Sequence, residues 1–269
     1  MAFWGCSFVF DGIPCEEYDL MLYDSFSGNS QEEGKFANTV SILEDKVNTR
    51  WRPHFYGAVY KEKLEFTLVF GVNQKRLDSG RPLDRTELDA IASWLIGHKD
   101  YKWLEIIQKD IEHVRYKCII TGLELIEYGT TPWALKATIE CDSPYAYMYP
   151  RTFEYKINGT KDVRFFNESG HPGYYKPIIE VNLDNSRSFS ITNISDNNRK
   201  LQFTNVPVET NKILIDNDYC VVTDVDNGLN LYPYFNFIFF RLMRGNNQLR
   251  FEGDCTVKII CEFPVNTGS

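Results

Sequence analysis

The sequence has little that would hold a metal or a disulfide framework. Its four histidines, His54, His98, His113 and His171, are scattered. None has a second ligand type at helical or hairpin spacing, and a zinc site needs three or four converging groups. The seven cysteines are odd in number and include no C-x-x-C pair. Such cysteines are expected as small core hydrophobes, as in DCTVKIICEF, where Cys255, Val257, Ile259, Cys261 and Phe263 share one face of a strand. No apolar run approaches the roughly 18 residues of a membrane span, and the strongest, Tyr232–Phe240, is broken by Pro233 and Asn236. The opening MAFWGCSFVF has no basic side chain ahead of its apolar run and no small-residue cleavage site. No signal peptide is therefore expected, and a soluble protein made in a cytoplasm is. Basic charge is also short. A formal net charge of −8 argues against a nucleic-acid binder held by phosphate contacts. It suits a surface that DNA passes without sticking.

The signatures of catalysis are missing too. No P-loop and no dinucleotide fingerprint occurs. Ser169, in NESGHPG, lacks a G-x-S-x-G context, and His171 beside it is too near in sequence to imply a triad. Glu65, Glu180 and Glu262 are the carboxylates to consider for glycoside hydrolysis. Each falls on the outer face of an expected strand, the ordinary place for a solvated charge. Asp216, Asp218, Asp224, Asp226 and Asn227-Gly228 have the composition of a calcium loop but not its register: no Asp stands five positions before Gly228 and no Glu six after it. Two turns flanking Cys220–Thr223 account for them better. No catalytic, cofactor-binding or metal-binding residue is expected.

What the chain does contain is β-structure around one helix. Nineteen Phe and sixteen Tyr favour a β-rich globular protein. Within Leu83–Asp110, Asp84 and Glu87 form a capping box. Leu88, Ile91, Ala92, Leu95 and Ile96 follow as one apolar stripe at helical period, and Gly97 stands where a left-handed cap belongs. Leu64, Phe66, Leu68 and Phe70 alternate with polar residues as a half-buried strand. Strands are also expected at Phe3–Ile13 and Tyr18–Ser25, two within Arg115–Tyr128, and one carrying Trp133, Leu135, Ala137 and Ile139. Ser25–Thr49 has no clean period and is expected as a long loop or extended arm.

A boundary is expected where Pro144 and Pro150 bracket a tyrosine-rich stretch, giving domains 1–147 and 148–269. The second half has no helical period. Short strands are expected near Phe153–Ile157, Ile178–Leu183, Phe189–Thr192, Leu201–Phe203, Lys212–Asp216, Tyr219–Val222, Phe235–Leu242, Gln248–Glu252 and Thr256–Phe263. Turn residues between them indicate a sandwich or jelly roll. Phe235, Phe237 and Phe239, at period two, are expected in its core. Tyr145, Tyr147, Tyr149, Tyr174, Tyr175, Tyr232 and Tyr234 are better candidates for exposed contact.

The order of several stretches carries a resemblance. HFYGAVYKEKLEFTLVF, the helix ending in WLIG, LELIEYGTTPWALKATIECDSPYAY, PIIEVN with FSITN, ILIDND, and RLMRGNNQLRFEGDCTVKII together resemble the distal tail protein (Dit) family of long-tailed, siphovirus-type bacteriophages. No one stretch is diagnostic; their order across nearly the whole chain is. The resemblance implies a structural baseplate-hub protein of the virion, without catalysis or cofactor, assembled in the bacterial host. Its fold would be mainly β: an N-terminal sandwich-like domain with one α-helix, then a galectin-like jelly roll. The first domain would form a homo-hexameric ring that joins the tail tube protein to a tail-tip or tail-associated fibre protein. DNA would pass through it without specific binding, and no membrane would be involved. The second domain would anchor receptor-binding or other baseplate proteins. Ser25–Thr49 would be the arm that reaches a neighbouring subunit. The competing reading is a carbohydrate-binding, galectin-like host-recognition module of a tail tip. A second alternative is a related tail-tip or contractile-injection hub protein with the same domain order.

Overall fold

The computed structural model describes residues 7–23, 40–60 and 63–266. The chain is mainly β and divides into two compact units, Met1–Tyr147 with Asn266–Ser269, and Met148–Val265. Phe3–Cys6 of the first expected strand, the end of the second, and residues 25–39 of the expected arm lie outside the described residues.

The first unit contains β1 (Ser7–Phe10), β2 (Ile13–Pro14), β3 (Leu20–Leu22), β4 (Val40–Asp45), β5 (His54–Tyr60), β6 (Glu65–Val72), β7 (Lys102–Ile107), β8 (Val114–Tyr128) and β9 (Thr131–Cys141). Seven of them form an antiparallel sheet in the order β2-β1-β7-β8-β9-β6-β3. The alternation in β6 does what it predicts: Phe66, Leu68 and Phe70 are buried while Glu65 and Thr67 face out. Arg115–Tyr128, expected as two strands, is one. The chain takes up the extra residue at Thr121 as a bulge between Ile120 and Gly122 without leaving the sheet.

Two helices follow β6: α1 (Gln74–Asp78) and α2 (Arg85–Leu95). The capping box of α2 is formed on both sides. The Glu87 N–H donates to Asp84 Oδ1 at 2.9 Å, and the Asp84 N–H donates to Glu87 Oε2 at 2.9 Å. Arg76, buried, donates to the same Oε2 at 2.8 Å. Hydrogen bonding from Arg76 holds the Glu87 carboxyl below its usual range. Gly97, at φ +88°, follows the helix in the left-handed region. The buried face is rotated from the expected stripe. Ile91, Trp94 and Leu95 are buried, while Leu88, Ala92 and Ile96 are half-buried. Trp94 takes the central place because its ring stacks on Phe8 (5.7 Å between centroids) and on Tyr18 (4.6 Å). Its Nε1–H also donates to the Phe10 carbonyl at 3.2 Å, so the indole is satisfied where it is buried.

A short β10 (Ala146–Met148) runs across the boundary between the units. The second unit continues with β11 (Arg151–Asn167), β12 (Ile178–Leu183), β13 (Phe189–Asn193), β14 (Arg199–Phe203), β15 (Lys212–Asp216), β16 (Val221–Asp224), β17 (Gly245–Cys261) and β18 (Pro264–Val265). Its strand order is β14-β13-β17-β12-β15-β16, with β11 also paired to β17. The two strands expected at Gln248–Glu252 and Thr256–Phe263 are a single β17. It pairs with β13 through Leu249–Glu252 and with β12 through Cys255–Leu183 and onward to Ile260. The change of partner falls at Gly253, whose φ of +136° suits glycine, and where an added Cβ would stand 3.0 Å from Phe189 Cβ. A strand that changes partners at such a bend makes the corner of a sandwich.

Phe235–Leu242 is not a strand. Phe237 adopts φ +59° and breaks the extended run. Side chains satisfy much of its backbone: Asn217 Oδ1 accepts from the Phe240 N–H at 2.7 Å, and Arg199 Nε donates to the Phe239 carbonyl at 2.8 Å.

Candidate assembly interface

Among the described residues the strands β4 and β5 pair only with each other, as a separate two-stranded sheet. Their register places Ile42 opposite Ala58 and Ser41 opposite Val59. Alternation then puts apolar side chains on both faces, Ile42 with Val40 on one and Leu43 with Val59 on the other. All four are exposed, Ile42 to 63%, as are Phe55, Tyr56 and, at the turn, Trp51, at 84%. Local contacts order the tip without covering it. Arg52 lies 4.0 Å over the Trp51 ring, and His54 stacks on Tyr56 at 5.8 Å. A lone hairpin is marginal in water, and an apolar one is an association hazard unless something covers it. Part of the sequence expected as loop or arm is therefore a strand, Val40–Asp45. Its partner comes from the stretch after it.

A second apolar surface lies at the far end of β8. Beyond the bulge Leu125, Ile126 and Tyr128 are all exposed. In the second unit an aromatic series runs outward from the core: Phe189 on Phe203 (5.0 Å), Phe203 on Phe235 (4.7 Å), Phe235 against Phe237 (5.8 Å) and Phe237 on Tyr232 (5.8 Å). The expectation that Phe235, Phe237 and Phe239 all lie in the core holds for Phe235 only. Phe239 is half-buried, and Phe237 is 64% exposed because its left-handed backbone turns the side chain away from the period-two face.

The tyrosines divide similarly. Tyr149 and Tyr174 are exposed, Tyr174 beneath the Arg241 guanidinium at 3.6 Å. Tyr147, Tyr232 and Tyr234 are half-buried. Tyr145 is buried, and so is most of Tyr175, whose oxygen accepts from the Glu262 N–H at 2.7 Å and whose ring packs on Phe263. Burial pushes the Tyr175 hydroxyl well above its ordinary range. Tyr128 and Tyr219, the most exposed tyrosines among the described residues, are not among those expected from sequence. Each stands at a turn, beside Gly129 and Asp218, and that position was the available signal.

Several polar residues of the expected turns and strands make hydrogen bonds or ion pairs within the second unit. Asp224 Oδ2 accepts from Thr210 Oγ1 at 2.9 Å, and Asp224 Oδ1 from the Asp226 N–H at 3.1 Å. Burial alone would raise the Asp224 carboxyl, but these bonds, with those from the Asn227 and Leu229 N–H groups, outweigh it and hold it low. Asp216 Oδ1 accepts from the N–H groups of Asp218 and Tyr219. Glu180, expected as a solvated charge, is largely covered. Lys212 (2.8 Å) and Lys258 (3.4 Å), on the two flanking strands, close over it. Ser169 is buried, and its Oγ accepts from the His171 backbone N–H at 3.0 Å. Among the described residues, no group of three His, Cys, Asp or Glu is placed to hold a metal ion, and no helix is long and apolar enough to cross a membrane.

The described residues form two β units, the first bearing an apolar hairpin whose side chains are exposed. Comparison with family models gives the family: residues 4–143 match the phage tail protein N-terminal domain and residues 145–261 the phage tail C-terminal domain, so the chain belongs to this phage tail protein family. Its fold is similar to that of the Dit protein (gp 19.1) of SPP1, described as a paradigm of the hub adsorption apparatus in phages that infect Gram-positive bacteria. The TM-score is 0.65 at 12% identity, over 96% of this chain and 98% of that one. A sequence search of curated proteins gives no match.

Proposed function

We propose that the chain is a distal tail hub subunit, six copies of which close a ring at the end of the tail tube. In this reading the domain of residues 1–147 forms the ring and leaves a channel for DNA, and the net negative charge lets DNA pass. The galectin-like domain of residues 148–269 projects outward and anchors receptor-binding or other baseplate proteins. The ring contacts the tail tube protein on one side and a tail-tip fibre protein on the other.

The observation that carries the reading is the β4–β5 hairpin, apolar on both faces and, among the described residues, without a third strand. A neighbouring subunit in a closed ring would cover it and leave no exposed edge. Membership of the phage tail family and the likeness in fold to a hub protein support the same role. Immunogold labelling of the phage particle tests it. Label confined to the distal end of the tail tube is expected; label along the whole tube, or only on peripheral fibres, would refute it.

The carbohydrate-binding reading has one observation in its favour, the exposed Phe237 ring stacked on Tyr232, since a flat aromatic surface suits a sugar face. Saccharide binding lost in Phe237→Ala would support it.

A further inference from the structure

Cys118 on β8 and Cys141 on β9 are direct cross-strand partners. On one side of the pair, the Asp142 N–H donates to the Lys117 carbonyl at 2.9 Å. The Cys141 N–H points the other way, donating to the Leu64 carbonyl at 2.8 Å. Lys117 and Asp142 are thus a hydrogen-bonded pair, and Cys118 and Cys141 the adjacent non-hydrogen-bonded one. In such a pair the Cα atoms stand about 4.5 Å apart and the side chains approach most closely. A disulfide spans Cα separations of about 4.4–6.8 Å, so this position is within range. Both side chains are on the inward face, in line with Tyr116 and Ile120 on β8 and with Ile139 on β9, and both residues are fully buried. No other two cysteines among the described residues are paired across strands. The habit of cysteine as a small core residue explains the burial of each, but not their placement opposite one another.

We propose that Cys118 and Cys141 form a latent disulfide site, a dithiol in the reduced protein that a low-molecular-weight disulfide closes, locking β8 to β9. The reaction balances with oxidised glutathione as oxidant. The Cys118 thiolate attacks one glutathione sulfur and releases one glutathione thiolate. Cys141, deprotonated, then attacks the Cys118 sulfur of the mixed disulfide and releases the second. Two protein thiols lose two electrons and two protons; two molecules of reduced glutathione carry them away. Burial pushes the Cys118 thiol up to about 12 and that of Cys141 higher still, so closure needs a transient opening of the strand pair. That the particle meets oxidising surroundings outside its host rests on the proposed function. The chemistry of the pair does not, so failure of one leaves the other standing.

The test uses the full chain. The protein is incubated with oxidised glutathione at pH about 8.5, with and without cycling through urea to open the sheet. Remaining thiols are then alkylated under denaturing conditions. Trypsin cuts after Lys117, Lys136 and Arg151, which isolates Cys118 in 118–136 and Cys141 in 137–151. The expected product is a linked pair of these two peptides, two hydrogens lighter than their sum and separated by dithiothreitol. It should form equally in Cys220→Ala, which removes the one exposed thiol among the described residues. Recovery of both peptides only as separately alkylated or glutathionylated species, even after urea cycling, would overturn the proposal. So would linkage of either cysteine mainly to another partner. Because the wild-type map decides the matter, it does not depend on a Cys118 variant that folds.

Discussion

The side-chain amide of Asn193 donates to Asn247 Oδ1 at 2.9 Å, and both residues are buried. Around this pair the second unit closes the turn that enters β17. Asn193 Nδ2 also donates to the Arg241 carbonyl, while Asn247 accepts from the Met243 N–H and donates to the Gly245 carbonyl. Removing either amide strands a buried partner, which costs about 1–3 kcal/mol. Asn193→Ala and Asn247→Ala should each lower stability by that amount in urea unfolding. The double variant should lose less than the sum, because the two share one network.

Acid should weaken the second unit through Asp196. The Arg241 guanidinium, bonded through Nε at 2.7 Å and Nη2 at 3.1 Å, holds this carboxyl below its usual range, against burial, which acts the other way. An unfolded Asp takes up its proton at about pH 3.9. Below that the unfolded chain binds more protons than the folded one, so stability there rises with pH. The contribution is complete above the unfolded value and disappears as pH falls through the folded one. Asp196→Asn should therefore be less stable at neutral pH and lose less on acidification, as read by thermal melts from pH 7 to about 2.5.

The capping box of α2 makes a prediction in the first unit. Asp84→Ala removes the acceptor of the Glu87 N–H and should cost about 0.5–2 kcal/mol. Asp84→Ser, which keeps a capping oxygen, should recover most of it. Thermal melts of the two variants side by side check this.

Gly253 should resist substitution. Its φ of +136° and the 3.0 Å approach to Phe189 make Gly253→Ala strained in the backbone and crowded at the side chain, with a loss of more than about 1 kcal/mol. Gly129, at a hairpin turn with open space around it, should show a smaller loss from the backbone alone. Comparing Gly253→Ala with Gly129→Ala in chemical unfolding separates the two effects.

The fold was legible where period and turn chemistry agreed. β6, β12 and β15 follow their alternation, and Asp84, Glu87 and Gly97 bound α2 as spacing predicts. It was less legible where one residue redirected a regular run. The Thr121 bulge and the bend at Gly253 look in sequence like strand ends, yet the sheet continues through both. Phe237 fits a core alternation until its backbone turns left-handed, which tertiary contacts from Asn217 and Arg199 permit. Trp94 lies three residues after Ile91, so helical period could have found it. Its stacking on Phe8 and Tyr18 depends on elements far apart in the chain. The hairpin was the hardest part, because apolar residues on both faces of a short strand give no alternation at all.

Ring closure through the hairpin is checked by solution mass against concentration, with negative-stain images of the largest species. A six-fold ring with an open centre is expected. Ile42→Glu with Phe55→Glu, at two exposed positions, should abolish the ring while changing the stability of the monomer by no more than about 0.5 kcal/mol per site. A wild-type protein that stays monomeric at every concentration, or that closes into an assembly without a central opening, would contradict ring closure.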